Sequence, residues 1–358
     1  MSTTNSIWLY RIYDISEEIK LDLAESMIAQ NKPTSRLRLS KIKPESMQIK
    51  NPPVSVDLDK QVFQLDKYQL SGDFSARVYD LGVVSILLRL TLPDSLTYEE
   101  LRQMSHFLDN HFAEINPFFE ERLERVKELL APALIKQRTS NFFEDFTIYS
   151  FRNWQQDWDP VPILLAELGQ LSEQVYKDTL SHSFSYTPND RAIITWDSAF
   201  INDPESGTDI QDLLEFAVVQ LLELRYYDGL LSEEMDRMYE AFEQAGKAGH
   251  HGRLRHYGKI RNHLMQLVAD ISEITERVQN SLKVTEDVYY ARVYGAAVNI
   301  FKTRQWMETI QHKMSVIQRS YSMMSDEIVT RRSLWLEVAI VLLFVLEIIL
   351  GLLPVFKH

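Results

Sequence analysis

The residues whose types and spacing could support chemistry lie mainly in one acidic stretch with a helical pattern. Glu215 and Glu223 are eight residues apart, so on a helix they fall on similar faces and can act as paired carboxylates or metal ligands. Arg225 and Asp228 have the i,i+3 spacing of an ion pair on a helix surface. The competing interpretation is a solvated acidic helix face. The candidate site and partner residues are Trp196, Asp197, Glu215, Glu223, Arg225, Tyr227, Asp228 and Trp306.

No catalytic motif accompanies these residues. The sequence contains no GxSxG, no P-loop GxxxxGK[ST], no GxGxxG and none of the Glu-x-x-His pairs of di-metal bundles. Because the chain has no cysteine, thiolate metal sites and thiol nucleophiles are excluded. A histidine cluster lacks the spacing of zinc sites and stands among basic residues, which indicates a solvated turn; its members are His250, His251, His256 and His263. We therefore predict a non-enzymatic protein without a metal or cofactor.

The charge balance limits the classes of partner. The chain has 358 residues, with 38 Lys+Arg against 51 Asp+Glu, a formal net charge of −13 and a pI near 5.2. Nucleic-acid binding requires a basic face that displaces counterions, so the composition argues against nucleic acid as a direct ligand. Residues 32–53 are an exception, because they combine prolines with several lysines and arginines. We interpret them as an exposed basic linker.

The first part of the chain has patterns of both strand and helix. Ile7–Ile15 has the composition of a strand, and Ser16–Gln30 that of an amphipathic helix capped by Ser16. Thr97–Leu130 is typical of a helix bent at Asn116–Pro117. Further strand patterns occur at Val54–Leu70, Ala76–Leu92 and Glu144–Trp154. The order β-α-β-β-α-β is typical of a ferredoxin-like domain, so we predict an α+β head over residues 1–155.

The second part of the chain is predicted to be mostly helical, since no proline occurs between Pro204 and Pro354. Residues 156–258 are predicted to form an α-rich domain with a short strand at 191–196. Residues 259–330 contain two heptad runs and are predicted to form an antiparallel coiled-coil hairpin through which copies self-associate. The runs are Ile260, Leu264, Leu267, Ile271, Ile274 and Val278, then Met307, Ile310, Met314, Ile317, Tyr321, Met324 and Ile328.

The C-terminal segment 334–353 consists mainly of Leu, Ile, Val and Phe. A helix of this length spans about 30 Å, one hydrocarbon thickness, so the pattern predicts a transmembrane helix that anchors a chain with its bulk in the cytoplasm. Glu337 and Glu347 lie within the segment and oppose insertion. The alternative is a buried helix, or an oligomeric coiled coil, that is not in a membrane.

Four segments resemble a known family: SYTPNDRAIITWDSAFI, LLEFAVVQLLELRYYDGLL, EDVYYARVYGAAVNIF with Trp306, and RRSLWLEVAIVLLFVLEIIL. Over about residues 75 to 353 the chain is similar to the required-for-meiotic-nuclear-division family, a membrane-associated domain of unknown function. The residues that fall on the motif are Trp196, Glu215, Glu223, Leu224, Arg225, Tyr227, Asp228, Tyr290, Tyr294, Trp306, Glu337 and Glu347. The first seventy residues lack a mitochondrial targeting peptide, which implies a bacterial or other non-mitochondrial member.

The resemblance implies an oligomeric membrane protein that supports translation by holding ribosomes near the membrane. Together with the patterns above, it predicts a membrane-anchored scaffold that self-associates and presents a cytoplasmic head to a protein partner, with 334–353 in the lipid bilayer. Two alternatives stay open. One is a metal- or nucleotide-dependent enzyme with an acidic site near Glu215 and Glu223, and the other is a soluble oligomer whose apolar tail is buried in its core.

Overall fold

The computed structural model describes most of the chain in two compact units. The described residues are 5–30, 32–39, 42, 47–65, 68–138, 142–205, 207–247 and 289–352, with short pieces at 265, 268–269, 271–272, 275–276 and 282–284. The first unit, called the α+β unit below, comprises Met1–Tyr226 and Thr275–Trp306. The second, called the helical unit, comprises Tyr227–Ile274 and Met307–His358.

The strands all belong to the α+β unit. They are β1 (Ser6–Asp14), β2 (Ser16–Ile19), β3 (Thr34–Arg36), β4 (Met47–Ile49), β5 (Val54–Leu65), β6 (Tyr68–Val78), β7 (Val83–Thr91), β8 (Leu134–Gln137), β9 (Phe143–Phe151), β10 (Ser183–Phe184), β11 (Arg191–Ile194), β12 (Ser198–Asn202) and β13 (Leu282–Val284). The predicted linker 32–53 contains two of these strands, β3 and β4. The described helices are α1 (Leu21–Ala29), α2 (Tyr98–Asn110), α3 (Phe112–Leu130), α4 (Pro160–Leu164), α5 (Glu173–Leu180), α6 (Asp209–Lys247), α7 (Tyr289–Ile300) and α8 (Thr303–Leu352).

A nine-stranded mixed sheet organises the α+β unit. Its order is β10-β11-β12-β9-β1-β7-β6-β5-β3, and β12 pairs with β9 in parallel. The central strands β9-β1-β7-β6 are antiparallel neighbours. Their order, with α1 between β1 and β6 and with α2 and α3 between β7 and β9, is that of a split β-α-β-β-α-β arrangement, extended at both edges.

One face of the sheet packs against α2 and α3. Alternate residues of each strand point to this face, so Ile7 and Leu9 of β1 join Phe74 of β6 in a core with helix residues such as Leu101 and Phe119. The Phe74 and Phe119 rings meet edge to face at 5.5 Å. Aromatic pairs in this geometry add about 0.5–1.5 kcal/mol beyond the burial of their area.

The ends of the helices differ from the sequence prediction. A capping box of Thr97 and Glu100 starts α2, which ends at Asn110. The helix predicted over Thr97–Leu130 therefore breaks at His111 instead of at Asn116–Pro117. Pro117 lies inside α3. Ser16 does not cap a helix, because Ser16–Ile19 pairs with β8 as a strand and α1 begins at Leu21.

The other face of the sheet packs against the first turns of α6. Tyr79, which directly follows β6, lies 6.1 Å from Phe216 of α6, measured between ring centroids. Almost every α6 residue from Asp209 to Leu224 is buried. Because a helix that is apolar nearly all round must be covered on several sides, this sequence fits the interior of the unit.

The helical unit contains the second heptad run, on α8. Its residues Ile310 and Ile317 are fully buried within the single chain, and Ile271 of the first run is 1% exposed. The Ser272 hydroxyl lies 3.7 Å from the Met314 sulfur. Much of the first run, like the whole histidine cluster, lies outside the described residues, so the predicted hairpin over 259–330 stays a prediction.

The predicted transmembrane helix is corrected by the structure. The segment forms the last part of α8, which ends at Leu352, and Glu337 and Glu347 lie within it. Among the described residues, none of the helices combines the length and apolarity needed to cross a membrane. A carboxylate in hydrocarbon opposes insertion by a few kcal/mol. By this criterion the transmembrane helix over 334–353 is wrong, and so is the single-pass, C-terminally anchored localisation with a cytoplasmic bulk that depended on it.

Candidate functional site

A polar cavity of the α+β unit lies between the central sheet and the layer of α2 and α3. Its volume is about 110 Å³. Two strands supply the floor, with Leu9 and Arg11 from β1 and with Asp145, Thr147 and Tyr149 from β9. The walls are formed by Leu108, Asp109, Phe112, Ile115, Leu164, Leu165, Ala166, Asp197 and Ser198. Register explains the floor, because Arg11 pairs directly with Asp145, and Leu9 with Thr147.

Arg11 is the central charged group of this cavity. Its side chain is 1% exposed, and its guanidinium carbon lies 3.0 Å from the centroid of the Phe112 ring. Nη1 donates to the Tyr10 carbonyl at 2.8 Å and lies 4.0 Å from Asp145 Oδ2. Nε has no hydrogen-bond partner among the described atoms. Burial lowers the pKa of Arg11 to about 10, although Asp145 opposes the shift.

Three exposed carboxylates line the same cavity. Those of Asp109, at the end of α2, and Asp197, just before β12, stand at its mouth, whereas that of Asp145 lies on the β9 floor, 4.0 Å from Arg11 Nη1. Burial raises the pKa of Asp109, and the charges of Asp197 and Asp145 add to this effect. Asp109 is therefore close enough to both of these carboxylates to be repelled by them.

A metal ion does not fit this arrangement. Among the residues that the structure describes, no group of three or more His, Asp or Glu side chains is placed to hold one. An arginine beside the carboxylates would also repel a cation. The cavity can instead accept a small molecule that offers an anionic group to Arg11.

Glu215, predicted as a site residue, lies in a different place, on the opposite face of the sheet. Its Oε2 accepts from Arg77 Nη1 at 2.5 Å, and Arg77 Nη2 forms an ion pair with Asp212, 2.6 Å from Oδ1. Burial raises the pKa of Glu215, and Arg77 opposes this shift. Because both carboxylates are at most 2% exposed, the group fixes α6 to β6 and has no access to a ligand.

The remaining predicted residues are dispersed. Glu223 and Tyr227 are buried in α6. Arg225 donates to Glu144 of β9, and in the helical unit Asp228 Oδ1 accepts from Lys313 Nζ at 2.6 Å. In the α+β unit Trp196 is 45% exposed, with its ring 6.1 Å from that of Phe301.

Asp197 is the one predicted site residue that lines the cavity, while Trp306 is half-buried on α8. Glu337 and Glu347 lie on the C-terminal part of α8, as described above. Sequence reasoning missed Arg11, Asp109 and Asp145. The one available signal was an arginine inside the apolar strand Ile7–Ile15, which is costly to bury without a purpose.

The chain is similar to proteins of an uncharacterised family. A curated protein of Methanocaldococcus jannaschii, described as uncharacterized protein MJ0711, is 29% identical over 247 residues, which cover 65% of this chain and 74% of that protein. No solved structure matches the chain.

These findings overturn the resemblance to the required-for-meiotic-nuclear-division family, and the archaeal relative conflicts with a bacterial origin. The motif strings that suggested that resemblance are mostly apolar helix segments, a composition that buried helices of unrelated proteins share. The role in translation and the ribosome-associated partner were implied by that resemblance alone. Residues 4–209, more than half of the chain, match the family described as uncharacterized protein MJ0711, N-terminal domain, and the chain belongs to that family.

Proposed function

We propose that the α+β unit is a binding module that holds a small, charged molecule in the Arg11 cavity. The observation that carries this proposal is a guanidinium that is 1% exposed, lines a cavity of about 110 Å³ and keeps an Nε without a partner among the described atoms. Buried polar groups are almost always hydrogen-bonded, and each exception calls for an explanation such as a missing ligand.

Two further properties support binding at this place. A strongly shifted titratable group in a concave site is a common mark of function, and Arg11 is such a group. Its position is fixed by stacking on Phe112 and by the Tyr10 carbonyl, so a ligand would meet a preorganised donor. Binding requires no reaction, and the expectation that the chain is not an enzyme stays a prediction.

A thermal-shift experiment tests the proposal with a defined set of probes. Acetate, propionate, phosphate, glycine, β-alanine and propylamine are each added at 10 mM to the full chain. A probe with a Kd of about 1 mM stabilises the folded state by about 1.4 kcal/mol at this concentration. For a domain of this size we expect Tm to rise by roughly 3–5 °C.

The variant Thr147→Phe tests whether a probe binds in this cavity, because Thr147 lines the cavity and a phenyl group would fill much of it. Thr91→Phe is the matched control, since Thr91 also lies in the central sheet, at the end of β7, but does not line the cavity. A probe that stabilises the wild-type chain and Thr91→Phe but not Thr147→Phe supports the proposal. If no probe raises Tm, or if Thr147→Phe responds as the wild type does, the proposal is wrong.

A second candidate function, self-association as a scaffold, is favoured by the C-terminal part of α8. Eleven apolar side chains there are between 46% and 65% exposed; they are Leu334, Leu336, Val338, Ile340, Val341, Leu342, Leu343, Phe344, Val345, Leu346 and Ile348. Their exposed area is on the order of 1,000 Å², above the roughly 800 Å² that each partner contributes to a standard interface. A helix that is apolar all round is normally covered, and we propose that a second copy of this chain covers it.

Light scattering of the full chain tests the second candidate. Leu343→Glu should shift the mass toward that of a single chain, while Met323→Glu, at an exposed position earlier on α8, should leave it unchanged. A mass of one chain at all concentrations would refute self-association. Partition of the wild-type chain into phosphatidylcholine vesicles in place of self-association would refute it as well.

A further inference from the structure

The Arg11 cavity has charges of opposite sign at its two ends. The buried end holds the Arg11 guanidinium, which is 1% exposed. The mouth holds the exposed carboxylates of Asp109 and Asp197, and a third exposed carboxylate, that of Asp145, lies 4.0 Å from Arg11 Nη1. A ligand that enters this cavity therefore meets negative charge first and positive charge last.

Resting on the binding function proposed above, we infer that the ligand is a short zwitterion of the amino-acid type. Its carboxylate pairs with the Arg11 guanidinium, and its ammonium group lies among the carboxylates of Asp109, Asp145 and Asp197. An arginine presents a planar fork of donors that matches a carboxylate, and an ammonium group offers three donors, which suits several surrounding carboxylates.

Ligands with a single charge fit this cavity less well. A simple carboxylate would satisfy Arg11 but would bring a further negative charge next to the three aspartates, with no ammonium group to offset it. An amine without an acid group would satisfy the aspartates, yet it would leave the Arg11 Nε without the partner that it lacks among the described atoms. Only a molecule with both charges can neutralise Arg11 and the aspartates together. In a site of low effective dielectric, a charge left without an opposite partner raises the free energy of the complex.

The size of the cavity limits the ligand further. Its volume is about 110 Å³, below the roughly 300–1,000 Å³ of sites for drug-sized ligands. This space suits a molecule with only a handful of non-hydrogen atoms. The apolar side chains of Leu9, Leu108 and Ile115 line the cavity as well, which suits a short hydrocarbon spacer between the two charged groups.

Calorimetric titration of the full chain with matched ligands tests the inference. The zwitterions are glycine, β-alanine and γ-aminobutyrate, which differ in the spacing of their charges. The ligands with one charge are acetate, propionate, butyrate and propylamine. We expect at least one zwitterion to bind ten times more tightly than the carboxylate of matching length and than propylamine.

Variants at the mouth provide the decisive comparison, because these side chains are exposed and their loss should not unfold the chain. In the double variant Asp109→Asn/Asp197→Asn we expect at least tenfold weaker zwitterion binding, with carboxylate binding unchanged or tighter. Asp157→Asn, at another exposed aspartate that does not line the cavity, should bind like the wild type. Arg11→Met should remove binding of zwitterion and carboxylate alike.

The outcomes separate the ligand class from the binding function. If acetate, propionate or butyrate binds as tightly as its matched zwitterion, the ligand is not a zwitterion. If the mouth variants leave zwitterion binding unchanged, the aspartates do not hold its ammonium group. Either result overturns the inference, although the cavity still binds. If none of the zwitterions binds while another thermal-shift probe does, the inference is likewise overturned and the binding function stands. If no ligand binds in either experiment, both are wrong.

Discussion

Arg77 Nη1 lies 2.5 Å from Glu215 Oε2, an ion pair that joins β6 to α6 across 138 positions of sequence. Glu215 is 1% exposed and Arg77 17% exposed. Asp212 adds a second carboxylate, and against the lowering effect of burial these two acids raise the pKa of Arg77. Arg77 therefore keeps its charge inside the unit, and the pair acts as a structural connection between sheet and helix.

The loss of Arg77 should be strongly destabilising. In Arg77→Met, two buried carboxylates lose their common cation, and breaking a buried pair in this way typically costs about 3–5 kcal/mol. Urea unfolding followed by circular dichroism measures the change. Arg125→Met is the matched control, since Arg125 is 60% exposed and its ion pairs should contribute less than about 1 kcal/mol. Equal effects of the two substitutions would contradict the structural role of the Arg77 pair.

Glu144 should make the stability of the α+β unit depend on pH. Burial raises the pKa of Glu144 from 4.5 to about 7, although its ion pair with Arg225 opposes the shift. Between these two values the folded state binds more protons than the unfolded state. The free energy of unfolding therefore falls as pH rises from about 5 to 7.5, by on the order of 1–3 kcal/mol.

The variant Glu144→Gln isolates this contribution, because glutamine cannot ionise and can still accept a hydrogen bond from Arg225. We expect its urea midpoint to fall less between pH 5 and pH 7.5 than that of the wild-type chain. Asp157→Asn removes an exposed acid and should retain the wild-type pH dependence. A Glu144→Gln profile parallel to that of the wild type would show that Glu144 ionises normally in the folded chain.

Gly82 should not tolerate a side chain. Its φ is +92°, and a Cβ there would lie 1.9 Å from the Ser16 carbonyl oxygen, so both the backbone and the contact exclude alanine. Gly82→Ala should lower the free energy of unfolding by more than about 2 kcal/mol. Gly295→Ala is the control, because no atom lies within 4 Å of its added Cβ and it is in the middle of α7. That substitution should stabilise the chain by about 0.5–1 kcal/mol.

The elements that the sequence predicts well are those with a strong local pattern. The strand predicted over Ile7–Ile15 is β1 at Ser6–Asp14, and the acidic stretch whose spacing indicated a helix around Glu215 and Glu223 lies in α6, which begins at Asp209. By contrast, Ser16 has the chemistry of a helix cap but lies in β2. Its partner, β8, is more than a hundred residues away, so pairing with a distant strand overrides the local preference.

The candidate site could be predicted only in part for the same reason. Asp197 was identified because it follows a short buried strand. The pairing register of β1 and β9 makes Arg11 and Asp145 neighbours, although they lie far apart in the sequence. A pattern read within one segment contains no information about such pairing. The acidic residues of α6 are the opposite case. Glu215 and Glu223 have the spacing of paired carboxylates on one helix face, but both are buried.

Charge placed in the heptad positions of α8 should unfold the helical unit. On the sequence alone, Ile317→Asp is expected to separate copies of the chain, because the seam was predicted to join them. Ile317 is 0% exposed within a single chain, so an aspartate there would be buried without a partner and would remove packed methyl groups. We expect a loss of at least about 4 kcal/mol, seen as reduced helical signal in circular dichroism and as rapid proteolysis of residues 307–352. Met323→Asp, at a position of the same helix that is 63% exposed, should retain the helical signal. A folded Ile317→Asp chain of reduced mass in light scattering would instead support a seam between copies.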